Sequence, residues 1–416
     1  MSTLLSERGE ENLTGLDIPW RFAPPLPRYN KDSNPSGLIL FSSAEISTVQ
    51  EQLEEFAAKN VKIPGDAFLY SFSSAGGSRF PNAMASFLND NFRPFTPVTG
   101  DQILTASGVT PIEDMIGLNI GDPGDGILVS SPIYGRFELD FGNEARLKIV
   151  YAKMKGMDSF DVGIVEIFQE AFEKASQAGT KIRAVLISNP SNPLGQCYPP
   201  ETLKRIMEFC GRTKIHLISD EVYAMSVFGP GYLEAVPFTS VLSIDPTGLM
   251  DPEYVQVMYG MSKDFGAAGL RLGCLITRSK QLLDACISLI RFHNPAGPSI
   301  AIGTAILEDK TFTASLLKSC RDKLLKGYSI TTRALEAAGI EYRKGTNAGL
   351  FVYIDLSPYL GPISEADPRG EFELAQCLVD HGVFLHPGEE HNEAPGWFRV
   401  SFASMDFESL EEGLRR

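Results

Sequence analysis

Positive charge is scarce in this sequence. Lys and Arg number 37 against 52 Asp and Glu, a net charge of −15 at neutral pH. Nucleic acid, whose phosphates need a basic face, is therefore not an expected partner. The six cysteines form no C-x-x-C pair, and the five histidines do not cluster with them. That spacing argues against a zinc site or a disulfide framework, and for buried free thiols in a reducing cytosol. No apolar run approaches the ~18 residues of a membrane-spanning helix. The opening "MSTLLSERGEENL" lacks the apolar centre of a secretory signal. Internal repeats and low-complexity tracts are missing too. The expectation is a soluble cytoplasmic protein with no membrane partner and no metal.

What is present is a long chain with room for a large core and two domains. Residues 1 to about 36 are polar and proline-bearing and read as an extended arm. Its Trp20 and Phe22 must bury somewhere, and a second subunit would serve. From about 48 to 300, short apolar runs alternate with amphipathic ones. "GILVS", "LKIVYA", "RAVLIS", "IHLIS", "VQVMYG" and "RLGCLIT" read as buried strands. "VGIVEIFQEAFEKASQAG" and "PETLKRIMEFCGR" read as helices. The alternation predicts an α/β fold with a mostly parallel sheet between helices. Ligands of such sheets sit in loops at the carboxyl ends of the strands. From about 310, a long helical run precedes "LFVYIDL" and "FRVSFA", which predicts a smaller α+β domain. The expected division is 1–47 as an arm with part of the small domain, 48–305 as the large domain, and 306–416 as the small C-terminal domain.

Four loops follow apolar runs and end in polar residues. "TASGVTPIED" places Val109 and Thr110 before a predicted helix with Pro111 in its first turn, a start that suits a phosphate. "SNPSNPLG" is a stiff loop that would aim Asn192 at a ligand. "HLISDEVYA" ends a strand on Asp220, with Tyr223 three residues on. "SKDFGAAGLRLG" holds Ser262, Lys263 and Arg271 between two predicted strands. Each loop alone has a plain structural reading: a helix start, an Asn or Asp cap, a solvated lysine. Together they suit one ligand. A lysine amine condenses with an aldehyde, and an arginine fork holds a phosphate. Pyridoxal 5'-phosphate carries both groups.

On these motifs, in this order, the chain resembles the class I/II aminotransferase family of pyridoxal-phosphate enzymes, fold type I. It is most similar to the 1-aminocyclopropane-1-carboxylate synthase group, fungal type. "NAGLFVYIDL" and "PGWFRVSFA" match in sequence and spacing, and "LFSSAEIS" resembles a short motif around a glutamate, here Glu45. The resemblance implies Lys263 as the imine lysine and proton shuttle, and Asp220 as partner of the ring nitrogen. Asn192 and Tyr223 become donors to the phenolic oxygen, and Tyr134 in "SPIYGRF" the aromatic stacked on the ring. Val109, Thr110 and Arg271, with Ser262, become the phosphate end. Arg399 becomes the fork on the substrate's α-carboxylate, with Glu45, Ser74 and Asn192 beside the substrate. An arginine inside the apolar "GWFRVSFA" is costly without a partner, which favours a ligand there. A homodimer is implied as well.

Two positions depart from the family. Gly260 stands where a phosphate-binding serine is common. Ser74, in "SSAGGSRF", stands where the synthases carry a tyrosine that reaches the neighbouring subunit's cofactor. The expected activity is chemistry on an L-α-amino acid through an external aldimine and a quinonoid, with amino-group transfer foremost. The alternatives are β-elimination of a cysteine conjugate by a carbon–sulfur lyase in secondary metabolism, cyclopropane formation from S-adenosylmethionine, and an inactive cofactor-binding relative.

Overall fold

The structure is a computed structural model that describes all residues except 1–3, 15–19, 21, 155, 230–234, 388–390 and 392–393. Among the described residues the strands are β1 (Ile39–Leu40), β2 (Ile103–Ala106), β3 (Gly126–Ser131), β4 (Lys148–Lys153), β5 (Ile182–Ser188), β6 (His216–Asp220), β7 (Val255–Gly260), β8 (Gly273–Thr277), β9 (Phe351–Asp355), β10 (Val383–Phe384) and β11 (Trp397–Ser401). Seven of them form one sheet in the order β2-β8-β7-β6-β5-β3-β4. Strands β3 to β7 pair in parallel, and β8 runs antiparallel to both β7 and β2. Strands β2, β3, β7 and β8 are buried along their whole length. Helices on both faces explain why these strands read as unbroken apolar runs. The two predicted helices are Ile164–Gln177 and Pro200–Thr213.

The direction of β8 matters for function. Parallel neighbours need a long crossover, whereas antiparallel ones can be joined by a short loop. Residues 261–272 therefore turn back at the same end of the sheet, with one short 3-10 turn at Ala268–Leu270. Lys263 and Arg271 both stay beside the carboxyl ends of β2, β5, β6 and β7.

The remaining strands make two small sheets. β1 pairs in parallel with β10, and β9 pairs antiparallel with β11, placing Arg399 opposite Tyr353. The helix Lys310–Ala338 joins them to the large sheet. Asp309 caps its start by accepting from Phe312 N at 2.8 Å, and Gly339 ends it in the left-handed conformation.

Three expectations change. The arm is not wholly extended, because Glu7–Thr14 is a helix with Glu7 and Glu10 in its first turn, where acids interact favourably with the helix dipole. The parts of the arm at 1–3, 15–19 and 21 lie outside the described residues. Trp20 is half-buried on its own chain, its ring stacked on Phe384 at 6.4 Å, while Phe22 stays 59% exposed. Five cysteines are buried, but Cys377 is exposed. It lies opposite the buried Glu371, Ala375 and Val379 stripe of the helix Glu371–Asp380. Among the described residues no helix is long and apolar enough to cross a membrane.

Candidate active site

A cavity of about 390 Å³ opens at the carboxyl ends of the parallel strands. Val109, Thr110, Tyr134, Asn192, Asp220, Tyr223, Ser262, Lys263, Arg271 and Arg399 all line it, together with Glu45. Ser74 does not. It lines a separate cavity with Phe72, Arg79 and Glu308.

The Lys263 amine donates to Ala44 O at 2.9 Å. Burial, then the positive charges of Arg399 and Arg271, pull its pKa down to about 8, against the opposing pull of Glu45 and Asp220. The result is a lysine with a sizeable neutral fraction near neutral pH, the form that attacks a carbonyl.

Asp220 ends β6 and is only 7% exposed. Burial pushes its carboxyl up to about 7, and nearby Asp140 adds to the rise, while Val222 N and Lys263 oppose it. An acid held this far from water calls for a cationic partner. Tyr223 is buried against Phe351, ring edge to face at 5.5 Å, and burial raises its hydroxyl pKa, which keeps it a proton donor.

The two asparagines of "SNPSNPLG" do different work. The Asn189 amide is used within the loop, donating to Thr239 O at 2.9 Å and accepting from Tyr198 N at 3.0 Å. Asn192 lines the cavity. Its Oδ1 accepts from Arg399 Nη1 at 2.8 Å, so its NH2 is what it offers a ligand. Arg399 is 5% exposed, also donates to Ser42 O at 3.0 Å, and lies 5.2 Å from the Phe351 ring centroid. The expectation of an arginine needing a ligand for want of partners is thus corrected: protein groups already hold part of its fork.

At the other end, Ile112 N and Glu113 N make the first intrahelical bonds, onto Val109 O at 2.8 and 3.0 Å. The N–H groups of Val109 and Thr110 precede them and point out of the helix start. A Cβ on Gly108 would collide with Arg271 Nη2, and one on Gly273 would lie 2.6 Å from Val109 N. Arg271 therefore lies against the turn that opens the helix, a cradle for a phosphate. Gly260 has a reason of its own, since a Cβ there would meet Leu272 O at 2.6 Å. The strand pairing leaves a serine no room. The donor set fits pyridoxal phosphate: a phosphate cradle, a buried acid and a lysine line one cavity.

Sequence reasoning missed Glu113, Arg136 and His386, which also line the cavity. Glu113 sits 3% exposed in the first turn of its helix, and burial with nearby Asp140 and Asp220 pushes its carboxyl well above the usual range. In sequence it looks like an ordinary dipole-compensating acid. His386 follows β10, and its Nδ1 lies 3.1 Å from Trp20 O.

The sequence model of the family described as aminotransferase class I and II matches residues 37–416. The chain belongs to that family. Its members are pyridoxal-phosphate-dependent enzymes of fold type I. The chain is similar to 1-aminocyclopropane-1-carboxylate synthase 8 of Arabidopsis thaliana, 32% identical over 93% of this chain and 84% of that protein. It is also similar to a probable aminotransferase of Leptosphaeria maculans, 31% identical over 88% of this chain and 87% of that one. Among solved structures, aspartate aminotransferase from Thermus thermophilus with maleate shares the fold, with a TM-score of 0.72 at 21% identity over 91% of this chain and 90% of that one.

Proposed function

We propose that this enzyme transfers the amino group of an L-α-amino acid to a 2-oxo acid. The observation that carries the proposal is that a depressed amine, a buried acid and a buried guanidinium face one cavity. Bound pyridoxal phosphate supplies an aldehyde for amines and a ring that withdraws electrons from the substrate's Cα. Lys263 holds the cofactor and then moves the Cα proton with its neutral amine. Asp220 would hold the proton on the ring nitrogen, and Tyr223 and Asn192 would donate to the phenolic oxygen. Val109, Thr110, Ser262 and Arg271 hold the phosphate, and Tyr134 packs on the ring. Arg399 grips the substrate carboxylate with the part of its fork that Asn192 and Ser42 leave open. Glu45 lies beside the lysine on the substrate side.

A second reading is elimination at Cβ or Cγ, favoured by the synthases among the relatives at 29–32% identity. One experiment separates the two. Amino acids are offered with 2-oxoglutarate, and cysteine conjugates and S-adenosylmethionine are offered alone. Glutamate formation supports transfer. Pyruvate, ammonia and a thiol, or the cyclopropane amino acid, replace it with elimination.

The proposal includes the division at 47 and 305 and a homodimer. Phe68, Leu69, Tyr70 and Phe292 are exposed apolar side chains that a partner would cover, and Ser74 belongs to the same segment as the first three. Light scattering at micromolar concentration tests the dimer, and a fully active monomer refutes it.

A further inference from the structure

Asp264 follows Lys263 directly, yet it does not line the cavity. It is 1% exposed, and three donors converge on it. Met225 N and Tyr259 Oη donate to its Oδ2 at 2.8 and 2.9 Å, and Ser226 Oγ donates to Oδ1 at 2.5 Å. These donors come from two other pieces of chain. Tyr259 belongs to β7. Met225 and Ser226 close the turn that begins at Tyr223, where Ser226 N donates to Tyr223 O at 2.9 Å. One carboxylate thus ties the lysine's loop to the tyrosine's turn.

We infer that Asp264 is a positioning residue that fixes the Lys263 amine relative to the Tyr223 hydroxyl and places its charge where that hydroxyl feels it. The inference rests on the roles proposed above for Lys263 and Tyr223. Two features carry it. Three hydrogen bonds meet on one buried carboxyl and are strongest when it is ionised, so the brace resists displacement of either segment. The charge also reaches Tyr223, where, after burial and together with Asp220, it holds the phenol above its usual range. The charged and titratable groups around Asp264 are Tyr259 on β7, Tyr223 on the turn, and Cys320 and Arg321 on the helix Lys310–Ala338.

Asp264→Asn separates charge from shape. Its amide oxygen still accepts from Met225 and Tyr259, and its NH2 can donate to the Ser226 hydroxyl. In the cofactor-loaded protein, the pH midpoint of the visible absorbance is expected to fall by roughly half a unit or more. Without the negative charge Tyr223 becomes more acidic and donates more strongly to the phenolic oxygen, which favours the unprotonated imine. A wild-type midpoint in a folded, loaded Asp264→Asn protein overturns the inference. Ser226→Ala keeps the charge and removes one anchor. There kcat is expected to fall by about three- to tenfold with KM and midpoint unchanged, and an unchanged kcat overturns the positioning role. If the wild-type protein itself takes up no cofactor, the function proposed above fails rather than this inference.

Discussion

Arg399 Nη1 lies 2.8 Å from Asn192 Oδ1, a contact that joins β11 to the loop behind β5 across 207 positions of sequence. The arginine proposed to grip the substrate carboxylate is thereby steadied by the asparagine proposed to face the cofactor. Truncation to Arg399→Ala removes the grip and strands the Asn192 oxygen. KM for the amino acid should rise by about thirtyfold or more, with a smaller effect on kcat. Steady-state kinetics decide, and an unchanged KM removes Arg399 from the substrate site.

Lys263 has its pKa pulled down to about 8. Only the neutral amine condenses with the cofactor, so the rate of pyridoxal phosphate uptake by the apoprotein should climb as pH rises through about 8 and level off above it. Stopped-flow absorbance measures this. Lys263→Ala should show no imine reducible by borohydride, and one that persists would falsify the assignment.

Asp220 sets the ring nitrogen's proton in this scheme. Asp220→Asn keeps the shape and removes the charge. A fall in kcat of about a hundredfold or more is expected, with the cofactor still bound at saturating concentration. Near-wild-type turnover would move the electron sink elsewhere.

Gly108 has a φ of +114° and no space for a Cβ beside Arg271. Gly108→Ala should displace the guanidinium and weaken pyridoxal phosphate binding by roughly tenfold or more. Binding of pyridoxal, which has no phosphate, should change little. An equal loss for both ligands would mean the glycine serves folding alone.

Burial pushes the carboxyls of Asp220, Glu221 and Asp264 up to about 7. Their folded pKa values lie above the unfolded ones, so the folded state holds more protons between roughly pH 4 and 7. Stability from these groups is full below that window and is lost as pH rises through it. The apoprotein should therefore melt several degrees lower, roughly, at pH 8 than at pH 5.5. Pyridoxal phosphate should narrow the gap by giving Asp220 a cation. Calorimetry with and without the cofactor is the measurement, and a higher melting point at pH 8 contradicts it.

Six strands of the large sheet were legible as apolar runs; for all but the edge strand β4, burial on both faces leaves little polar alternation to obscure them. β2 was missed. "ILTA" is four residues long and carries a threonine, too short for a pattern. The helix Glu7–Thr14 was missed because its residues bury nothing, and an amphipathic reading needs a buried face.

The sequence by itself determined the chemistry on offer and its order along the chain. Polar residues after apolar runs place the asparagine, aspartate, lysine and Arg271 at strand ends, since a strand between two helical layers can expose ligands only there. Tertiary structure decided the rest. It turned β8 back so that Lys263 and Arg271 share one end of the sheet, and gave Arg399 protein partners. It left Ser74 outside the chain's own cavity, and it buried Glu113 where the sequence shows only a surface-like acid. The physical reason is common to all of these. A pKa and a hydrogen-bond partner depend on burial and on groups hundreds of residues away, and neither quantity is local in the sequence.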